Sequence, residues 1–321
     1  MIKSVTISTL VIWLVLTAGL HSGARDKFTR EWNTDTTTAS GLIPDTTGME
    51  TAWDIPKNPL TDSLAVEKNL AGQIKLGFRL FTQTPQESRF ASNKLSCSNC
   101  HLNAGQRERA LPLVGVSGAF PEYNKRSGRL YSLEDRIVDC FKRSIDASKN
   151  DSLHNGDLDL FIPSTSSEEV LAIAAYISWL SSGFPTGNKI SWRGQNTIPP
   201  DKQIPIKELN LHHGEALYRE RCSNCHGDDG QGVEIGDKKA GPLWGDESWN
   251  DGAGAGRIYT LAGMFMYAMP YINPVSLSFR EAQEIAAYID SKPRSVYPYK
   301  NKDYLSEKIP PDAVYYHASI K

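Results

Sequence analysis

An all-α fold built as two tandem units follows from three observations. The box Cys97-Ser98-Asn99-Cys100-His101 returns as Cys222-Ser223-Asn224-Cys225-His226. Each box is followed by a proline loop, Leu111-Pro112-Leu113 in the first case and Gly241-Pro242-Leu243 in the second. Each unit then ends in a segment carrying Ile-Ala-Ala-Tyr-Ile in one register, at 173–177 and at 285–289. Self-similarity of this kind marks an internal repeat. The repeating unit reads as a helix, a box, a loop and a closing helix.

The chain divides in order as follows. Residues 1–24 resemble a secretory signal: Lys3 is the basic start, Leu10 to Leu16 the apolar centre, and Ser22-Gly23-Ala24 the small-residue cleavage site. An uncleaved anchor is the alternative, although the apolar run is short for a membrane span. Residues 25–59 are rich in Thr, Asp, Ser, Gly and Pro and read as an extended arm. A first domain spans 60–183, a linker 184–205, a second domain 206–292, and a tail 293–321. Helical spacing of apolar residues begins at Thr61 and leads to the first box. The closing segments start with Ser166 and Glu169, and with Ser278 and Glu281, both in capping-box spacing. The tail carries Tyr297, Tyr299, Tyr304, Tyr315 and Tyr316 and is expected to lie on the surface of one domain. Gly252 to Gly256 lacks the spacing of a dinucleotide loop and reads as a loop packed beside the second box.

A Cys-x-x-Cys-His box is the attachment sequence of a c-type haem. On a helical turn the two thiols share a face and can reach two vinyl groups of one porphyrin, with the histidine placed to bind iron. No second Cys-x-x-Cys or His-x-x-x-His pair stands near either box to complete a tetrahedral zinc site. The cofactor expectation is therefore two covalently bound haem c groups. Cys97, Cys100, Cys222 and Cys225 would attach them, and His101 and His226 would be the proximal ligands. Export fits this chemistry, and the periplasm is the expected compartment. The chain has 35 basic and 37 acidic residues, and nothing in it points to nucleic acid.

Of 5 cysteines, the boxes use four, which leaves Cys140. Its bland reading is a buried structural thiol. Its functional reading is an iron ligand or a reactive sulfur. The first domain offers no methionine between His101 and its closing helix, so Cys140 and His154 are its candidates for the far side of the iron. Cys140 falls on a helical apolar face with Leu133, Ile137 and Phe141, whereas His154 sits in a polar loop. In the second domain Met269 is favoured over Met264 and Met266, because Pro270 follows it and ends the helix there. Thiolate ligation lowers a haem potential and thioether ligation raises it. A His101/Cys140 haem and a His226/Met269 haem would therefore give electrons a direction. Between Arg107 and Arg143, eight bases face five acids, a local excess suited to a small oxyanion.

These residues resemble a known family. His101-Leu102-Asn103-Ala104-Gly105, then Pro121-x-Tyr123 with Arg126, then Leu133-Glu134-Asp135-Arg136-x-x-x-Cys140-Phe141-x-Arg143-Ser144 is similar to the thiosulfate dehydrogenases, which are dihaem c-type cytochromes. Pro242-Leu243-Trp244-Gly245, Asn250-Asp251-Gly252-Ala253-Gly254 and Met269-Pro270 extend the likeness through the second half. The resemblance implies an enzyme that joins two thiosulfate ions into tetrathionate at the first haem, or runs the reverse. Cys140, Arg126, Arg136 and Ser144 match the catalytic positions, and the second haem passes electrons to an external acceptor such as another c-type cytochrome. Tyr267-Ala268-Met269 carries no lysine beside the methionine, which leaves the direction of reaction open. The rival readings are a non-catalytic dihaem electron carrier, an enzyme conjugating thiosulfate to a carrier protein, and a dihaem peroxidase. None of the three gives Cys140 and the arginines a joint role at the iron of this chain alone.

Overall fold

The computed structural model describes residues 57–149, 161–184, 186–187, 190, 192–235 and 238–317. The expected signal segment, nearly all of the arm, and His154 lie outside the described residues. Among the described residues, six helices of eleven residues or more carry the fold: α1 (Lys68–Thr82), α2 (Leu133–Arg143), α3 (Glu168–Leu180), α4 (Leu211–Arg221), α5 (Ile258–Ala268) and α6 (Phe279–Asp290). Strand structure among the described residues is confined to short two-stranded ladders, of which β1 (Glu122–Asn124) and β2 (Arg129–Tyr131) form a hairpin leading into α2. No helix among the described residues is long and apolar enough to cross a membrane.

The repeat is visible as two equivalent helix crossings, α1 on α3 and α4 on α6. A glycine allows each close approach. A Cβ on Gly77 would overlap the carbonyl oxygen of Ala172, and one on Gly214 would overlap that of Glu284. The tyrosine of each Ile-Ala-Ala-Tyr-Ile segment, Tyr176 or Tyr288, packs beside its glycine. Each unit also ties a tyrosine hydroxyl to the chain after its box: Tyr176 donates to the Ala104 carbonyl at 2.7 Å, and Tyr218 to the Gly227 carbonyl at 2.6 Å.

Local chemistry explains most helix ends and corrects two expectations. Ser132 with Asp135, and Ser278 with Glu281, form reciprocal capping boxes that satisfy backbone N–H groups left over at a helix start. The expected Ser166–Glu169 box does not form. The cap is Ser167, and Glu169 instead reaches across to accept a hydrogen bond from the Ser88 hydroxyl. Helix α1 starts at Lys68 rather than near Thr61, because the Glu67 carboxylate caps it by accepting from the Asn69 and Leu70 N–H groups. Where described, the 184–205 segment is packed: Ile198 is 2% exposed and the Trp192 indole donates to the Val114 carbonyl.

Candidate functional site

The first box forms one tight turn. His101 N–H donates to the Cys97 carbonyl at 3.0 Å, and a helical turn follows from Leu102 to Gly105. Thr84 fixes the entrance, its hydroxyl accepting from the Cys97 N–H at 3.2 Å. The His101 ring lies 6.0 Å from the Phe81 ring, centroid to centroid, and its Nδ1 is 2.6 Å from the Leu111 carbonyl oxygen. A carbonyl only accepts, so Nδ1 carries the hydrogen and Nε2 keeps its lone pair. Burial pushes the imidazole down to about 4, so it is neutral at pH 7; the Leu111 hydrogen bond opposes that shift and Arg136 adds to it. In the second box His226 N–H donates to the Cys222 carbonyl at 2.9 Å, and His226 Nδ1 lies 3.1 Å from the Gly241 carbonyl. The acceptor in both units is thus the carbonyl of the residue before the proline. The proline nitrogen has no hydrogen, so that amide can only accept.

Cys140 sits on α2 between the buried faces of Ile137 and Phe141 and is itself half-buried. It is close enough to Cys97 and Cys100 to interact with both electrostatically. Burial pushes the Cys97 thiol up to about 12 and Cys100 up to about 11, with Cys140 adding to each. Burial also raises Cys140; Arg136 and Arg143 oppose the shift and Asp139 supports it. Arg136 is the largest local stabiliser of the thiolate, and Cys140 is in turn the first cause of the raised Arg136 guanidinium. The two thiols of each box and the open Nε2 are the donor set of a covalent haem, and the residues therefore fit that group.

A cavity of about 350 Å³ opens beside Cys140. All four residues expected at a catalytic centre, Arg126, Arg136, Cys140 and Ser144, line it. So do Arg143, Arg257 and Lys308, and its acids are Asp139 and Glu307. The arginines differ in availability. Arg136 has 45% of its side chain exposed and meets only Asp139, at 3.4 Å, among the described residues. Arg126 is held by Tyr304 and the Gly252 carbonyl. Arg143 is 5% exposed and donates to Asp303 at 2.8 Å from two nitrogens, to Asp139 at 2.8 Å and to the Gly252 carbonyl at 3.0 Å. Arg143 is thus structural, while Arg136 keeps donors for an anion.

Two expectations about this region change. The Gly252 loop does not serve the second box; its carbonyl accepts from Arg126 and Arg143, and Gly254 lines the cavity by Cys140. The tail does not rest on one domain's surface. Asp303 and Tyr304 are keyed onto α2 and Arg126, Asp312 binds Arg257 at 3.0 Å, and Tyr315 accepts from Arg294 at 2.8 Å. Tyr304, Glu307, Lys308 and Pro310 of the tail line the cavity, which the sequence reading missed. The only signal was a run of tyrosines with no core of its own.

The second half closes differently. Helix α5 buries Leu261, Met264, Phe265 and Ala268 and ends at Met269, which is extended (φ −126°, ψ 152°) and half-buried. Met264 packs in a small apolar cluster with Ala268, Leu102 and Ala110, and Met269 and Leu111 pack against it. Met266 packs against the main core. Burial raises the Cys222 thiol to about 12 and lowers His226, with the Gly241 hydrogen bond opposing the latter.

Comparison with known proteins follows the same division. Residues 86–186 match the family described as SoxA/TsdA, cytochrome c domain, and residues 209–289 match cytochrome C oxidase, cbb3-type, subunit III. The thiosulfate dehydrogenase of Allochromatium vinosum is 37% identical over 235 residues, covering 71% of this chain and 80% of that protein. The thiosulfate dehydrogenase of Psychrobacter arcticus is 32% identical over 269 residues, 83% and 77% of the two chains. The solved thiosulfate dehydrogenase (TsdBA) from Marichromatium purpuratum superposes with a TM-score of 0.67 at 32% identity, covering 83% of this chain and 54% of that one.

Proposed function

The chain belongs to the thiosulfate dehydrogenase family, and from that premise we propose that it oxidises two thiosulfate ions to tetrathionate in the cavity beside Cys140. The observation that carries this reading is a half-buried sulfur and an under-partnered Arg136 lining one basic cavity, with the sulfur close enough to the first box to interact with both of its thiols. Two haem c groups, held by Cys97, Cys100 and His101 and by Cys222, Cys225 and His226, supply the one-electron acceptors when bound. Cys140 and Met269 would be the further ligands to those groups.

The residues divide the work. Thiosulfate is a dianion, and bringing two together costs Coulomb repulsion that Arg136 and the basic cavity offset. Arg136 also favours the thiolate of Cys140. That sulfur forms a bond to the outer sulfur of one thiosulfate: Cys–S⁻ and S₂O₃²⁻ give Cys–S–S₂O₃⁻ and two electrons, which the haem groups would accept when bound. The second thiosulfate attacks, through its own outer sulfur, the adduct sulfur bonded to Cys140, so that the Cys–S bond breaks, tetrathionate is released and Cys–S⁻ returns. No proton is consumed. Ser144, half-buried on the same wall, has a hydroxyl with no hydrogen-bond partner among the described residues and serves as a donor to substrate oxygen. The same steps run backwards reduce tetrathionate. Leu111, whose carbonyl orients His101, and Met269 pack on one apolar cluster, which supports a short route between the two centres.

The test is production of tetrathionate from thiosulfate with an artificial electron acceptor, together with an electron paramagnetic resonance spectrum of the oxidised protein. Turnover and a low-spin signal of histidine–thiolate type are expected. A Cys140→Ala protein that keeps full activity refutes the adduct.

A further inference from the structure

The hydroxyl of Tyr304 is a tail group at the cavity wall whose hydrogen-bonding capacity is incompletely used among the described residues. Arg126 donates to it twice, from Nε at 3.0 Å and from Nη2 at 2.8 Å. Those two bonds fill the oxygen's acceptor capacity, and the phenolic hydrogen has no acceptor among the described residues. A hydroxyl that already accepts from a guanidinium is polarised toward donating, because hydrogen bonds in a chain reinforce one another. Its natural acceptor is an anion.

The group is held firmly. Tyr304 N–H donates to the Arg126 carbonyl at 2.8 Å. The neighbouring Asp303 is 9% exposed and gripped by Arg143 from two nitrogens, with the Tyr316 hydroxyl donating to the same carboxylate. Tyr304 itself adopts φ 57°, a left-handed conformation that a bulky side chain seldom takes, so the surrounding bonds fix a backbone that would otherwise relax. This pins a residue some 160 positions after Cys140 against the wall that holds Cys140, Arg136 and Ser144.

We propose that Tyr304 is a substrate-binding residue, donating its phenolic hydrogen to a sulfonate oxygen of the thiosulfate held beside Cys140, and that the C-terminal tail is thereby a wall of the active site. This rests on the reading of the cavity as the thiosulfate site. Arg126 acts with it as a positioning residue, its Nε and Nη2 donating to Tyr304 and its Nη1 to Gly252. The sequence contains no motif that announces this, since the tyrosine comes from a tail with no periodic pattern.

The test compares the wild-type holoprotein with Tyr304→Phe, which deletes one oxygen and keeps the ring. Thiosulfate binding is measured by calorimetry on the fully reduced protein, where turnover cannot occur, and KM and kcat are measured separately with an artificial acceptor. Loss of a hydrogen bond to an anion predicts a Kd and a KM each raised roughly ten- to fifty-fold, with haem content, optical spectra and the resonance signal unchanged. An unchanged Kd overturns the proposal, whatever happens to kcat. A crystal of the reduced holoprotein soaked in thiosulfate is the second readout and does not depend on the variant's folding. An anion oxygen about 3 Å from the Tyr304 hydroxyl supports the proposal, and an anion bound out of its reach overturns it. If the wild type binds thiosulfate but makes no tetrathionate, the catalytic reading fails while the anion site stands.

Discussion

The two halves of this molecule share a scaffold and differ in the further helix each adds to it. In both, a glycine lets two helices touch, a tyrosine ties the chain after the box, and a carbonyl before a proline orients the histidine. In the first half that helix is α2, whose residues Arg136, Cys140 and Arg143, with Ser144 just after it, line a cavity. In the second it is α5, an apolar helix ending in Met269. The repeat thus supplies the same frame twice, and on the proposed reading the chemistry is decided by the helix that differs between the halves.

The sharpest way to break this contrast is Cys140→Ala. Tetrathionate formation is expected to fall by on the order of 10³-fold or more, as for loss of a nucleophile, with the second haem's spectrum intact. Steady-state turnover and electron paramagnetic resonance read both, and retained turnover would erase the distinction between the halves.

The shared frame makes the next prediction. Gly77→Ala and Gly214→Ala each drive a methyl into a carbonyl of the crossing helix, so each should destabilise its own half by about 1–3 kcal/mol. Gly72 is also in α1 but meets nothing within 4 Å, and its alanine variant should gain about 0.5–1 kcal/mol from helix propensity. Thermal unfolding of the three variants checks this, and equal behaviour at positions 72 and 77 would sink the packing argument.

Met269→Leu probes the end of the other helix. Removing the thioether should lower the second haem's potential by on the order of 100 mV while thiosulfate affinity in the reduced protein stays as in the wild type. Spectroelectrochemistry with calorimetry decides; an altered affinity would mean the two sites are not separable.

The smallest effect concerns the seam between the halves. Asp146 follows α2 at φ 56° and accepts at 2.8 Å from Asn250, while its Oδ2 is buried without a partner. Burial raises its carboxyl to about 6, with Asn250 and Ser295 opposing. A raised folded value means the protonated form is favoured on folding. Stability from this group is therefore present below the ordinary carboxylate range and is lost as pH rises through about 6. Asp146→Asn keeps the acceptor, tolerates the left-handed backbone and removes the buried charge, and should stabilise by roughly 1–3 kcal/mol at pH 7 with little effect at pH 4. Melting temperatures at the two pH values are the measurement. A loss at pH 7 would show that the charge is used.

Much of this was legible in residue order. The boxes, the closing helices and the α2 segment all rest on contacts between residues a few positions apart, and each lies where periodicity placed it. Gly77-x-x-Leu80-Phe81 and Gly214-x-x-Leu217-Tyr218 repeat too, but a glycine's reason is the helix it touches, which lies far away in sequence. Ser166 and Glu169 had the right spacing and failed because Ser88, far upstream, competed for the carboxylate.

By itself, then, the sequence determined the local geometry: two boxes, the histidine in each, the helix bearing Cys140, and the excess of positive charge around it. The tertiary structure decided which arginine stays available, that Arg143 is spent on Asp303, and that the Gly252 loop and Tyr304 of the tail reach the first site. Those outcomes are long-range competitions for hydrogen-bond partners. Which donor wins an acceptor depends on distances set by packing, and no spacing along the chain encodes them.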